Sequence, residues 1–140
     1  MSQQDVSKKT DGALPVILVV EDDGFLRELI VQKLRKENFD VEAAIEATEA
    51  FKSIEQKKPD LILLDLVLPG MDGFQITTHL KKNPETAKIP IVILSNLGQK
   101  EDIEKAKACG AVDYMVKADF TPGEIVEKIR QVLDGQRPFY

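Results

Sequence analysis

The feature that most constrains this chain is a fivefold alternation of short apolar runs with segments of helical period. The runs are Val16 to Val20, Phe39 to Ala43, Leu61 to Leu64, Ile91 to Leu94 and Asp113 to Val116. The segments that follow carry apolar residues at three- and four-residue spacing: Leu26, Leu29, Ile30 and Leu34; Ala47, Ala50, Phe51 and Ile54; Phe74, Thr77 and Leu80; and Ile125, Ile129, Val132 and Leu133. The fourth segment, Gln99 to Ala108, offers only Ile103 and Ala106, so its apolar stripe is thin. A strand that is apolar at nearly every position has to be covered on both faces. Five strand–helix units therefore predict an α/β fold, a parallel sheet with helices on both sides. The run Phe39 to Ala43 alternates instead, which predicts an edge strand.

Punctuation agrees with this division. Asp23 stands where it can cap the first helix, Gly110 where it can end the fourth, Pro90 at a strand start, and Pro122 at the first helical position, where its missing N–H costs nothing. At 140 residues the chain suits one domain with a real core. The expected division is a flexible N-terminal tail, 1–14, one domain, 15–135, and a C-terminal tail, 136–140.

Charge and composition remove several classes of function. The formal net charge is −5 and no dense basic patch occurs, which opposes nucleic-acid binding. The single Cys109 excludes an intramolecular disulfide and a cysteine-based metal cluster. The apolar run from Leu14 to Val20 is interrupted by Pro15 and too short to span a membrane, and the opening residues lack the layout of a secretory signal. A cytoplasmic protein is the expectation.

In an open α/β sheet, chemistry gathers beyond the carboxyl ends of the strands. Those ends carry Glu21, Asp22 and Asp23; then Asp65, which closes the buried run Leu61 to Leu64; then Ser95 and Asn96; and finally Lys117. If Glu21, Asp22 and Asp65 share one cleft, each pair about 4 Å apart repels by roughly 4 kcal/mol at an effective dielectric of about 20. Such a cluster requires a cation, and its oxygen donors suit a hard ion such as Mg²⁺. Mg²⁺, a lysine and a hydroxyl around carboxylates fit the handling of a phosphoryl group. Each residue also has a plain structural reading. Asp65 can be a loop residue, Glu21 and Asp22 helix N-terminal acids, Asp23 a cap, Ser95 a turn residue and Lys117 a solvated surface lysine. Only their joint placement favours function. Cys109, Met71 and Met115 read as packing residues, and His79 as a water-facing residue in mid-helix with no reason to meet Ser95.

Four ordered motifs, "ILVVEDD", "LILLDLVLPGMDG", "IPIVILSN" and "GAVDYMVKADF", resemble the receiver domain of bacterial two-component response regulators over roughly Pro15 to Gly135. The resemblance implies a flavodoxin-like (βα)5 fold with strand order 2-1-3-4-5. It also implies that Asp65 is the phosphoacceptor, that Glu21, Asp22 and Asp65 hold Mg²⁺ with the backbone carbonyl of Val67, and that Ser95, Lys117 and Asn96 contact the phosphoryl group. Tyr114, with Ser95, is the implied switch, rotating inward once the phosphoryl group has drawn Ser95. The phosphodonor implied is a sensor histidine kinase or a histidine phosphotransfer protein. The implied response is a change in the surface of the fourth helix, fifth strand and fifth helix, with a homodimer as one outcome and a downstream protein target of unknown identity. No direct nucleic-acid or membrane contact is implied, and the only chemistry is Mg²⁺-dependent self-phosphorylation and autodephosphorylation.

Ala118 stands where the family usually has proline after the lysine, so a trans bond with a shifted loop is expected there. Other readings are a non-phosphorylated interaction module of the same fold, or a receiver fragment of a longer regulator. A Mg²⁺-dependent phosphatase would need substrate-binding insertions that these short loops lack. Nucleotide binding is disfavoured by the acidic turn "EDDGFL" and by the lack of a glycine-rich phosphate motif.

Overall fold

The structure, a computed structural model, describes residues 12–135. The expected tails, apart from residues 12–14, lie outside the described residues.

Five strands form: β1 (Val16–Val20), β2 (Asp40–Ala44), β3 (Leu61–Leu64), β4 (Ile91–Ser95) and β5 (Asp113–Val116). They make one parallel sheet in the order β2-β1-β3-β4-β5. The helices are α1 (Gly24–Lys36), α2 (Ala47–Gln56), α3 (Gly73–Lys82), α4 (Lys100–Cys109) and α5 (Pro122–Leu133), with a 3-10 turn over Lys117–Asp119. This is the flavodoxin-like (βα)5 arrangement expected, with the alternating strand β2 at one edge.

Strand side chains alternate between two faces, and each face builds its own core. Leu18, Val20, Ile62, Leu64, Ile91 and Ile93 pack with α2, α3 and α4. Ile17, Val19, Leu61, Leu63, Val92, Leu94 and Met115 pack with α1 and α5. The central strands β1, β3 and β4 are buried at every residue, which is why they read as continuous apolar runs.

Helix ends form as their sequences dictate. Asp23 accepts from the amides of Phe25 and Leu26, opening α1. Asp72 with Gln75, and Thr121 with Glu124, form reciprocal capping boxes on α3 and α5. Gly110 ends α4 at φ 112°, a conformation that costs residues with a Cβ.

Several details depart from the sequence reading. β2 lies one residue later than Phe39 to Ala43, because Phe39 turns into the α1/α5 core ahead of the strand. Leu29 is 39% exposed, and Val31 takes its place in the core. Ile76 and Val126, which the apolar faces named from sequence left out, are buried. Met115 packs in the core, but Met71 is exposed at the tip of the loop after β3. α4 buries only Ala106, in keeping with its thin stripe.

Candidate functional site

Sheet register brings the chemistry together. Val20 lies beside Leu64, so the residues that follow them, Glu21 and Asp65, leave the sheet next to each other. Leu64 pairs with Ile93, which puts the hydroxyl of Ser95 on the adjoining strand, just past the level of Asp65. Ser95 in turn pairs with Val116, so Lys117 emerges from the fourth neighbouring strand. Backbone bonds carry the order past the strands: Asp65 N–H donates to Val20 O and Glu21 N–H to Ala44 O, each at 3.0 Å.

At the mouth of this corner the carboxylate oxygens of Glu21, Asp22 and Asp65 come within 4.8 Å of one another. Glu21 and Asp65 are 2% and 4% exposed, and Asp22 is open to solvent. The ammonium of Lys117 reaches across the ends of the central strands. Its Nζ donates to Asp65 Oδ2 at 3.1 Å and pairs with Glu21 Oε1 at 2.9 Å, an ion pair whose angle gives that buried oxygen charge compensation without a well-directed hydrogen bond. The other Glu21 oxygen accepts from the Asp23 amide at 3.1 Å, and Asp65 Oδ1 accepts from the Val67 amide at 3.3 Å.

Burial dominates the electrostatics of Glu21. Removing its carboxyl from water pushes the pKa up to about 7, against the opposing pull of Lys117 and the Asp23 amide, and the charge of Asp65 adds to the rise. For Lys117 burial pulls the pKa down, but its close ion pairs with Glu21 and Asp65 outweigh it, and the net direction is up. Three carboxylates with one ammonium leave a deficit of positive charge. The donor set is all oxygen, as a hard divalent cation prefers, so these residues fit a metal.

The remaining expected residues fall around this cluster. Ser95 is fully buried, its Oγ accepts from the Leu97 amide at 3.1 Å, and its hydroxyl also faces that of Tyr114. Val67 lies at the rim, its residue 60% exposed. Asn96 follows Ser95 directly, is exposed on the turn after β4 and makes no side-chain hydrogen bond among the described residues. The Tyr114 hydroxyl donates to the carbonyl of Leu97, which ties the ring to the turn after β4 that follows Ser95 and Asn96. No described peptide bond is cis; Lys117 precedes Ala118 through a trans bond, and the 3-10 turn still aims its amine into the cleft.

Sequence reasoning passed over Arg27. Its guanidinium donates to the Glu21 carbonyl at 2.8 Å and so braces the turn that carries two of the acids. Its position one turn into α1, facing an acidic loop, was the available signal.

A doubly wound parallel sheet with a cation-demanding carboxylate cleft over its central strands defines an α/β module built to handle a charged group at its topological switch point. Residues 17–130 match the response regulator receiver domain, and the chain belongs to that family of phosphoacceptor signalling modules. It is 39% identical over 117 residues to the phosphate regulon transcriptional regulatory protein PhoB of Escherichia coli strain K12, covering 84% of this chain and 51% of that protein. The chain thus spans about half the length of the curated relatives it matches. Among solved structures, the chemotaxis protein CheY4 of Vibrio cholerae superposes with a TM-score of 0.80 at 26% identity, over 86% of this chain and 99% of that one. The BeF3-activated N-terminal receiver domain of Klebsiella pneumoniae RstA gives 0.77 at 33% identity, over 84% and 97%. Among the described residues no helix is long and apolar enough to cross a membrane.

Proposed function

We propose that Asp65 is the phosphoacceptor of this receiver and that Mg²⁺ is the cation its cleft takes. The observation that carries the reading is the ammonium of Lys117 held 3.1 Å from a buried carboxylate that has two further acids beside it. Glu21, Asp22 and Asp65, with the Val67 carbonyl, are the groups that would hold the ion. When bound, it neutralises oxygens of the incoming phosphoryl group and the cleft's excess negative charge.

The residues of the chain divide the work. An Asp65 oxygen attacks phosphorus, the bond from phosphorus to the donor nitrogen breaks, and the electron pair leaves with the donor imidazole, giving an acyl phosphate on Asp65. Lys117 stays close enough to pair with a phosphoryl oxygen, and the Ser95 hydroxyl turns to donate to a second. Asn96, on the exposed turn, is a peripheral contact at most.

The donor we infer is a sensor histidine kinase or histidine phosphotransfer protein in the cytoplasm. Phosphorylation acts on the surface of α4, β5 and α5, where α4 has least apolar anchorage, and a homodimer or a further protein target reads the change. The receiver unit is taken as residues 15–135.

Beryllofluoride tests this reading without a kinase. With Mg²⁺, the protein should give a bound ¹⁹F signal and amide shifts in the turn after β4 and along α4, both missing in D65N. A bound signal retained in D65N would overturn the role of Asp65.

A further inference from the structure

Gly73 opens α3, and the helix there is pressed onto the loop that carries Asp65. Its N–H donates to the Leu66 carbonyl at 2.9 Å. A Cβ built on Gly73 would lie 2.5 Å from the Asp65 carbonyl oxygen, 2.8 Å from Leu66 Cα and 3.0 Å from Leu66 Cδ2. Two of these are backbone atoms, which cannot swing aside as a side-chain tip can. Gly73 has no left-handed φ, so the position requires glycine for space and not for conformation. Gly70, three residues earlier, is the converse, with φ +77° and nothing near its missing Cβ.

The first turn of α3 is fixed from its own side. Asp72 and Gln75 close a capping box, the Thr77 hydroxyl donates to the Gly73 carbonyl at 2.8 Å in a buried site, and Ile76 and Leu80 anchor the helix in the core. The loop after Asp65 is held by Leu66 and Leu68, which are buried in the core, while Val67, Pro69 and Gly70 are exposed. An added methyl group must open the contact by about 1 Å to reach van der Waals distance. Asp65 and Leu66 lie past the last laddered residue of β3, Leu64, whereas the first turn of α3 is capped and anchored, so the strain falls on the Asp65–Leu66 backbone.

We infer that Gly73 is a positioning residue for phosphoryl transfer. Its missing side chain lets α3 set the height of the Asp65–Leu66 backbone, and with it the distance from the Asp65 carboxylate to Lys117 and Glu21 and the place of the Val67 carbonyl. This rests on Asp65 being the acceptor.

The test compares Gly73→Ala with Ile76→Val, which loosens the core under the same helix without altering the close approach at Gly73. The crystal structure of G73A should show the Asp65–Leu66 backbone displaced while α3 stays in place. Mg²⁺ affinity, followed by amide shifts well below either melting temperature, should fall about tenfold or more in G73A, as for lost outer-shell support, and stay within twofold of wild type in I76V. The rate of phosphorylation by acetyl phosphate should fall about 10- to 100-fold in G73A alone. A G73A structure in which the helix moves and the loop does not, or equal Mg²⁺ loss in both variants, overturns the inference. If G73A does not fold, Thr77→Val, which releases the Gly73 carbonyl without adding volume, should weaken Mg²⁺ binding more than I76V does; equal binding would overturn it. A wild type that binds Mg²⁺ but takes no phosphoryl group defeats the acceptor reading, while the loop displacement and the affinity ratio still decide the role of Gly73.

Discussion

The Lys117 ammonium lies 3.1 Å from Asp65 Oδ2 and 2.9 Å from Glu21 Oε1, joining three strand ends that the chain visits 44 and then 52 residues apart. One cation thus holds two buried acids, and breaking that link should be costly. Lys117→Met leaves Glu21 and Asp65 facing each other without compensation, and removing one partner of a buried pair typically costs about 3 kcal/mol or more. In metal-free urea unfolding at pH 8, K117M should lose stability on that order. At pH 6 the loss should shrink, because Glu21 can then take up a proton. An equal loss at both pH values would mean that the pair is not the source.

Glu21 gives the metal-free protein its own pH dependence. Its folded-state pKa is raised from 4.5 to about 7 by burial. A carboxyl raised on folding stabilises the protein while it is protonated in both states. That contribution is full below about 4.5 and disappears as the pH rises through about 7. Metal-free wild type should therefore lose stability between pH 5 and pH 8, by roughly 3 kcal/mol from this group. Glu21→Gln should flatten the curve and be the more stable protein at pH 8. Mg²⁺ should restore wild type at pH 8 and do little for E21Q. A flat wild-type profile would contradict the burial of an ionisable Glu21.

Stability and site chemistry should separate at the start of α5. Thr121 accepts from the Glu124 amide at 3.1 Å, and Glu124 returns the bond to the Thr121 amide at 2.8 Å. Thr121→Ala should cost about 1 kcal/mol in urea unfolding. Mg²⁺ affinity should stay unchanged in the same variant, since neither residue touches the cleft.

The sheet was legible because its strands are buried on both faces. Leu61 to Leu64 and Ile91 to Leu94 have no polar position to confuse the period, and both form strands where they were expected. Glu21, Asp22, Asp65 and Lys117 were legible as a group because parallel strands all release their chains at one end. What failed did so for local reasons. Leu29 and Val31 stand on opposite edges of the stripe made by Leu26, Ile30 and Leu34, and spacing alone does not say which edge is covered. Ile76 and Val126 lie just off the stripes named for their helices. Gly73 carried no signal in the sequence, because its close neighbours belong to the backbone of the loop before it.

Locating the phosphoryl group tests the central claim most directly. The protein is incubated with Mg²⁺ and acetyl phosphate, its intact mass is measured, and the adduct is mapped by peptide fragmentation under acidic conditions that preserve acyl phosphates. The expected result is one labile addition of about 80 Da, carried by the peptide containing Asp65, absent without Mg²⁺ and absent in D65N. An adduct on another residue, or equal labelling of wild type and D65N, contradicts the assignment of Asp65 as the phosphoacceptor.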